Sequence, residues 1–463
     1  MSDERGPGGP TRLINPTVRG YMEALNLERF YGGYTNPVAP PHVYNLGIGE
    51  VDRVPLEPGL WERYRRFIAS ADLAPLALRY SGTMGVRETN CLVAAGLNRW
   101  LGTERFGADQ VLSVDGGQNA VNLAARVFTS PLGGADRRQY VLMAAPSYPY
   151  LSSLVPSRAG VQAFLAYDGE MLARGVETYC NPAVGMILLN LPHNPMGYAL
   201  TAEQVARINR VARAYDCALV VDLVYAAFAP DAAVGAALAG LDPERTVFVD
   251  SFSKKYGLPG LRLGFALSAA EPLIYALRFV KMGESLMPSP VKLAFAGHLL
   301  AEHAGVPAAI AAEIRGRNER FREAFAGSEE FGVRPLGGAA NPFYLGLDIG
   351  ALLAKCGLSD AEVARHCLET HSVRVIPGAF IYPSPALRVA EFSDAGRPVP
   401  AGDLPFAPPS WPEGAQFVFA PDFFSARVPL LRLSFGVEHR IEAATAALKA
   451  GLRDGWEGRA GEP

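Results

Sequence analysis

Between residues 111 and 267 the chain alternates short, unbroken apolar runs with segments of helical period. VLSV at 111–114 precedes QNAVNLAARVF, QYVLMAA occupies 139–145, and GMILLNL at 185–191 precedes TAEQVARINRVARAYD. CALVVDLVYAAF, RTVFVDSF and LRLGFAL follow at 217–228, 245–252 and 261–267. A strand without polar alternation must be buried on both faces, and a sheet is covered that way when helices cross over each side. The alternation therefore predicts an α/β fold with a mostly parallel sheet. Thr201, followed three residues later by Gln204, predicts a capping box at a helix start.

After about residue 305 the pattern changes to that of an α+β unit. A long helical segment, PAAIAAEIRGRNERFREAFAG, leads into NPFYLGLDI, SDAEVARHCLET, VRVIPG and LLRLSFG, with a closing helix. At 463 residues the chain exceeds one minimal domain. The organisation expected is a disordered N-terminus (1–11), an N-terminal part of a small domain (12–60), a large domain (61–304) and a C-terminal small domain (305–463). A Pro-rich loop, about 391–429, interrupts the last of these and shows little periodicity. Loops of that length usually cover a site or wander over the surface. Its aromatics (Phe406, Trp411, Phe417, Phe419, Phe423, Phe424) suit either a wall for a large substrate or a surface excursion.

Composition narrows the partners. A net charge of −3 and a pI near 6.2 provide no basic field for nucleic acid or an anionic membrane. The five cysteines (Cys91, Cys180, Cys217, Cys356, Cys367) are scattered and lack metal-ligand spacing, so a reducing cytoplasm and no metal are expected. The polar start MSDERGPGGPTR is unlike a secretion signal, and no apolar run is long enough to span a bilayer.

The stretch DSFSKKYGLPGLRLG, 250–264, follows one of the apolar runs. Ligands of open α/β sheets bind outside the carboxyl ends of the strands. A desolvated lysine amine placed there is a nucleophile toward aldehydes. Ser251, Ser253 and Arg262 are hydroxyl and guanidinium donors suited to a phosphate. Only six lysines stand against 37 arginines in the chain, and two of the six adjoin here. In isolation the stretch would read better as a polar loop with two solvated lysines.

SFSKKYGLPGLRLG resembles the cofactor-lysine signature of the fold-type-I pyridoxal-phosphate enzymes of the class I/II aminotransferase family: S-x-S-K, an aromatic-Gly pair, and an arginine eight positions after the lysine. The match falls on Lys254, with Gly257 and Arg262 in place, and leaves Lys255 as a solvated or helix-end charge. In VVDLVYAAF, Asp222 resembles the aspartate that pairs with the pyridine nitrogen, and Tyr225 the tyrosine that donates to the phenolic oxygen. NLPHNPMGYAL resembles the family's N-P-x-G turn, with Asn194 on the same oxygen; Met196 stands where Thr is common, and His193 reads as structural. VDGGQNAVNL maps the phosphate-binding turn onto Gly117, Gln118 and Asn119. APSYPYL places Tyr148 as the ring that stacks on the cofactor. RYSGTMG places Tyr80 at the phosphate of a neighbouring subunit. LLRLSFG offers Arg432 for the substrate's α-carboxylate, with Gly49 of NLGIGE beside it.

The resemblance implies a mostly parallel seven-stranded sheet covered by helices, a smaller α+β domain, pyridoxal 5'-phosphate as cofactor and a homodimer with shared active sites. It implies chemistry at Cα of a small-molecule amino-acid substrate through a Schiff base on Lys254, with that amine also moving the Cα proton. Transfer of the amino group to a 2-oxo acid is the family's commonest outcome. SKKYGLPGLRLG is also similar to the lysine segment of aminocyclopropane-carboxylate synthases. The alternative is therefore Cγ elimination or replacement, or C–C bond formation, on a larger substrate such as S-adenosylmethionine. A ligand-sensing module of a transcription regulator would carry a helix-turn-helix domain ahead of VYNLGIGE, and no such pattern occurs there.

Overall fold

The computed structural model describes residues 42–51, 60–70, 73–78, 80–229, 231–383, 390–391 and 416–458. The expected disordered N-terminus lies outside these residues, as do Phe406 and Trp411.

In chain order the strands are β1 (Tyr44–Asn45), β2 (Val111–Val114), β3 (Tyr140–Ala145), β4 (Gly160–Leu165), β5 (Val184–Asn190), β6 (Ala218–Asp222), β7 (Thr246–Ser251) and β8 (Gly264–Leu267). There follow β9 (Arg334–Leu336), β10 (Tyr344–Asp348), β11 (Val373–Arg374), β12 (Ile376–Pro377), β13 (Ala390–Glu391), β14 (Phe417–Phe419) and β15 (Leu430–Ser434). The large sheet has the order β13-β14-β4-β3-β5-β6-β7-β8-β2. It is parallel except for β8, which runs antiparallel to both neighbours. All seven residues of β5 are buried, as continuous apolar strands between two helical layers must be. The predicted capping box is present at the helix Ala202–Tyr215: Gln204 N–H donates to Thr201 Oγ1 (3.3 Å) and Thr201 N–H to Gln204 Oε1 (3.0 Å).

Seven of these strands make the sheet that the family resemblance implies. The other two come from the stretch read as an aperiodic loop. Phe417–Phe419 pairs in parallel with β4, Phe417 opposite Val161 and Phe419 opposite Ala163, and β13 then pairs with β14. The reason is local: an aromatic, a β-branched residue and a second aromatic form a triplet that fits a pleated edge. Covering β4 also removes an open edge at the side of the sheet.

A second sheet, β12-β15-β10-β9, is antiparallel and carries its own buried cluster, with Phe343, Leu347 and Leu431 among its members. The segment after β1 is drawn into this region. β1 pairs with β11, Asn45 N–H donates to Glu438 Oε2 (2.8 Å), and Ser434 N–H donates to the Leu46 carbonyl (2.7 Å). Residues 47–50 are thereby held between the small sheet and the carboxyl ends of the large one.

Candidate active site

Strand register sets the first residues of the site. Asn190 ends β5 directly opposite Asp222, which ends β6. Ser251 ends β7 and caps the single turn Phe252–Lys255, its Oγ accepting from Ser253 N–H at 3.1 Å. That turn lifts Lys254 over the strand ends. Across the sheet, β2 breaks at Gly116 (φ +90°), and the helix Gly117–Phe128 begins, presenting free N–H groups. A Cβ on Gly116 would lie 2.7 Å from Arg262 Nη2, so only glycine lets the guanidinium come so close. Arg262 itself adopts φ +50°, a left-handed conformation costing roughly 1–2 kcal/mol, which turns its side chain back toward this glycine.

These elements enclose a cavity of about 120 Å³. Gly117, Gln118, Tyr148, Asp222, Tyr225, Ser251, Ser253, Lys254 and Arg262, all anticipated from sequence, line it together. Asn194 joins through its Nδ2, 3.4 Å from Tyr225 Oη. Asn119 does not line it: its amide donates to Glu284 (2.9 Å) and accepts from Asp115 N–H (3.3 Å). Tyr80 lies away from the cavity with 84% of its surface exposed. Lys255 is the helix-end charge of the two alternatives expected, closing the turn Phe252–Lys255 and forming an ion pair with Asp250.

Burial governs the electrostatics. It lowers the Lys254 amine from 10.5 to about 8, with Arg432 and Arg262 pushing the same way and Glu50 and Asp222 opposing. A neutral, nucleophilic amine is thus accessible near neutral pH. Burial raises Asp222 from 3.8 to about 6, against the lowering effect of Tyr150 Oη (2.5 Å) and Val224 N–H (3.0 Å), which donate to it. Tyr225 is held well above the ordinary phenol range by burial, so its hydroxyl remains a donor.

A second group of residues ties the lysine to the small sheet. Lys254 Nζ donates to the Gly49 carbonyl. Tyr225 Oη lies 2.7 Å from Tyr344 Oη, and the Arg432 guanidinium lies 5.0 Å from the Tyr344 ring centroid. Arg432 Nη2 donates to the Gly47 carbonyl (2.7 Å). A Cβ on Gly49 would meet the Tyr344 hydroxyl at 2.4 Å, so this position also requires glycine. His193 has the structural place expected: it stacks on Tyr198 (4.3 Å), accepts from Met196 N–H, and burial lowers it to about 3.

Sequence reasoning missed Asn190, Tyr150 and Tyr344. Only strand pairing brings Asn190 beside Asp222. Tyr150 lies two residues beyond Tyr148 within APSYPYL, which was the available signal. Tyr344 is two residues before Gly346, the register partner of Arg432, a relation visible only in the folded sheet.

The profile of the family "Aminotransferase class I and II" matches residues 41–394. The chain belongs to that family. Among curated relatives, a probable N-succinyldiaminopimelate aminotransferase of Mycobacterium tuberculosis is 29% identical over 298 residues, covering 59% of this chain and 71% of its own length. An aromatic-amino-acid aminotransferase of Thermococcus litoralis is 25% identical over 347 residues, covering 73% and 83%. The solved N-succinyldiaminopimelate aminotransferase of M. tuberculosis superposes with a TM-score of 0.67 at 21% identity, over 95% of this chain and 100% of that one, and shows the shared fold. This aminotransferase-family chain is accordingly a pyridoxal-phosphate-dependent transferase, and its relatives support amino transfer rather than the sulfur-eliminating alternative.

The residues present fit that cofactor. Asn194 Oδ1, Asn190 Nδ2 and Arg432 Nε are buried and have no hydrogen-bond partner among the described residues. Leaving such groups unsatisfied costs roughly 1–3 kcal/mol each, so the arrangement is complete only with polar ligand atoms. A carboxylate (Asp222), a phenol with a neighbouring amide (Tyr225, Asn194), a hydroxyl and guanidinium cluster at a helix start and a low-pKa amine match the groups of pyridoxal phosphate one by one. Among the described residues, no helix is long and apolar enough to cross a membrane. Elsewhere, His366, His371 and Asp454 gather ligand atoms within 4.8 Å of one another, a cluster apart from the cysteines on whose spacing the expectation of no metal rested.

Proposed function

We propose that the site moves the amino group of an amino acid to a 2-oxo acid, with Lys254 as the covalent anchor and the base that shuttles the proton at Cα. The carrying observation is one cavity in which Lys254, Asp222 and the Ser251–Ser253–Arg262 cluster converge, linked through Tyr225 and Tyr344 to Arg432. Pyridoxal phosphate, when bound, supplies an aldehyde for the substrate amine and a ring that accepts electron density from Cα.

The chain's own residues do the rest. Asp222 would keep a proton on the ring nitrogen, and Tyr150 holds that carboxylate in place. Tyr225 and Asn194 would bind the phenolic oxygen, and Tyr148 would pack on the ring face. Gly117, Gln118, Ser251, Ser253 and Arg262 would hold the phosphate, whereas the Asn119 N–H is taken up by the Gly116 carbonyl (3.1 Å). Arg432 would bind the α-carboxylate in a fork beside Gly49, which fixes Cα near Lys254 Nζ. The lowered pKa of the half-buried Lys254 amine keeps it able to take and return a proton near neutral pH.

Tyr80 supports a shared site in a homodimer. Its ring and that of Phe279 (71% exposed) are large apolar groups left in solvent, of the kind that a second copy would cover. We also propose a cytoplasmic location, and a division into a large domain (61–304) and a small one (12–60 with 305–463). Two hydrophobic clusters support it, following this division except that Tyr225 and Phe228 join the second and several residues from Ile376 to Leu430, Phe417 and Phe419 of β14 included, join the first.

The reading is tested by mixing purified holoenzyme with single amino acids and following both the cofactor's absorbance and 2-oxo acid release. Stoichiometric conversion to the aminated cofactor supports it. Release of methylthioadenosine from S-adenosylmethionine, without 2-oxo acid, would replace it with the elimination reading.

A further inference from the structure

Beside the cofactor cavity lies a larger one of about 360 Å³, within the roughly 300–1,000 Å³ typical of small-ligand sites. Tyr148 and Tyr150 line both. One wall is a single face of the large sheet: Met143 and Ala145 of β3, Val161 and Ala163 of β4, then Phe417 and Phe419 of the added strand β14. The opposite wall comes from the small-sheet side. Ile376 of β12 pairs with Arg432, and the chain runs on from β12 into Ala379–Pro383, which line the cavity. Ser147 N–H donates to the Ile381 carbonyl (3.3 Å), closing the two walls together.

The lining is apolar or aromatic except for Ser147, Ser359, Asp360 and Arg427. Asp360 already accepts from Ala361 N–H (2.9 Å) and Ala379 N–H (2.8 Å). The Arg427 guanidinium lies over the Tyr382 ring, 5.9 Å from its centroid. What remains to meet a ligand is mainly rings and methyl groups.

We infer that this cavity receives the substrate's side chain, that the substrate class is amino acids with a large apolar or aromatic side chain, and that Phe417 and Phe419 are specificity-determining residues. The inference rests on amino transfer at Lys254. A side chain leaving a Cα held between Lys254 and Arg432 has Tyr148 on one side and the segment after β12 on the other, and both open onto this cavity. The stretch 417–419 joins the sheet edge and extends the apolar wall.

The test uses holoenzyme, measuring single-turnover cofactor amination by L-phenylalanine, L-tryptophan, L-alanine and L-aspartate. It also measures binding of 3-phenylpropionate, which has the ring and carboxylate but no amine. Wild type should favour phenylalanine over alanine by about 100-fold in kcat/KM. Ala361→Trp, at a half-exposed lining position, should reduce the phenylalanine value and 3-phenylpropionate affinity about tenfold while alanine changes less than about twofold. Phe417→Leu should shift preference toward tryptophan.

Transfer from alanine or aspartate alone, or equal losses for phenylalanine and alanine in Ala361→Trp, would overturn the inference and leave amino transfer standing. Binding of 3-phenylpropionate that Ala361→Trp weakens, with no amination by any substrate, would support the cavity assignment and sink the proposed reaction.

Discussion

The two cavities that share Tyr148 and Tyr150 are built in opposite ways. The smaller is assembled from element ends: the last residues of β5, β6 and β7, a one-turn helix and a helix start. Ends expose unpaired backbone groups and place charges where strands stop, so this cavity holds the titratable residues. One whole wall of the larger is made of strand faces, including a strand contributed by a segment more than 250 residues after β4 in sequence. Faces present side chains in alternation and offer shape rather than charge. Chemistry should therefore fail when the first is altered, and substrate choice should shift when the second is.

The strongest way to break this contrast is Lys254→Ala. Loss of the buried amine removes the anchor and the proton carrier together, so amino transfer should fall by at least about 10⁴-fold, and borohydride should no longer fix the cofactor to the chain. A variant that still transferred amino groups within tenfold of wild type would remove the element-end cavity from the chemistry. The pH dependence sharpens the same point. With Lys254 lowered to about 8, the neutral fraction drops tenfold per unit well below that value. Loading of cofactor into the cofactor-free chain should slow about fivefold from pH 8 to 7 and rise only about twofold more above pH 8, followed by absorbance in rapid mixing.

Arg432→Lys is expected next in size. A lysine keeps the charge and loses the planar fork, so KM for the amino donor should rise about 100-fold, with a smaller fall in kcat. Equal steady-state constants for the variant and wild type would leave the carboxylate to some other group.

These residues differ in how visible they are in a linear sequence. Lys254, Asp222, Arg262 and Gly117 sit in short motifs whose spacing is fixed because each motif spans one strand end and one turn. The sheet was legible for a related reason, since continuous apolar runs can only be doubly covered strands. β4 was harder: the buried polar Gln162, whose Oε1 accepts from Asn181 (2.8 Å), interrupts GVQAFL. Asn190 and Tyr344 act through register with Asp222 and near Arg432, and register is a relation between distant segments. The same holds for β14, whose three residues have no period to detect and gain their meaning only against the edge of β4.

Asp222 tests the electrostatic half of the contrast through stability. Its folded value, about 6, lies above the ordinary 3.8 because burial disfavours the carboxylate. Between those values the folded, cofactor-free chain binds more protons than the unfolded chain, so this group's contribution is greatest below pH 3.8 and declines as pH rises to 6. Asp222→Asn is neutral throughout and should lack this decline. The stability difference between variant and wild type should move in the variant's favour by about 2 kcal/mol from pH 4 to pH 7, read from denaturant unfolding. A difference independent of pH would mean that the carboxylate is not desolvated.

Tyr150→Phe has the smallest expected effect and bears on both cavities, because this ring lines each. The substitution keeps the ring and removes the hydroxyl that donates to Asp222 at 2.5 Å. A hydrogen bond to a charged group contributes roughly 1.5–3 kcal/mol, less when the acceptor keeps a second donor, as Asp222 does in Val224 N–H. kcat should fall about tenfold, and the pH at which it declines on the acid side should move upward, because one stabilising contact to the carboxylate is gone. Discrimination between phenylalanine and alanine should stay within about twofold, since the apolar wall is unchanged. If discrimination collapsed while kcat held, Tyr150 would act as part of the apolar wall and not as a support for Asp222.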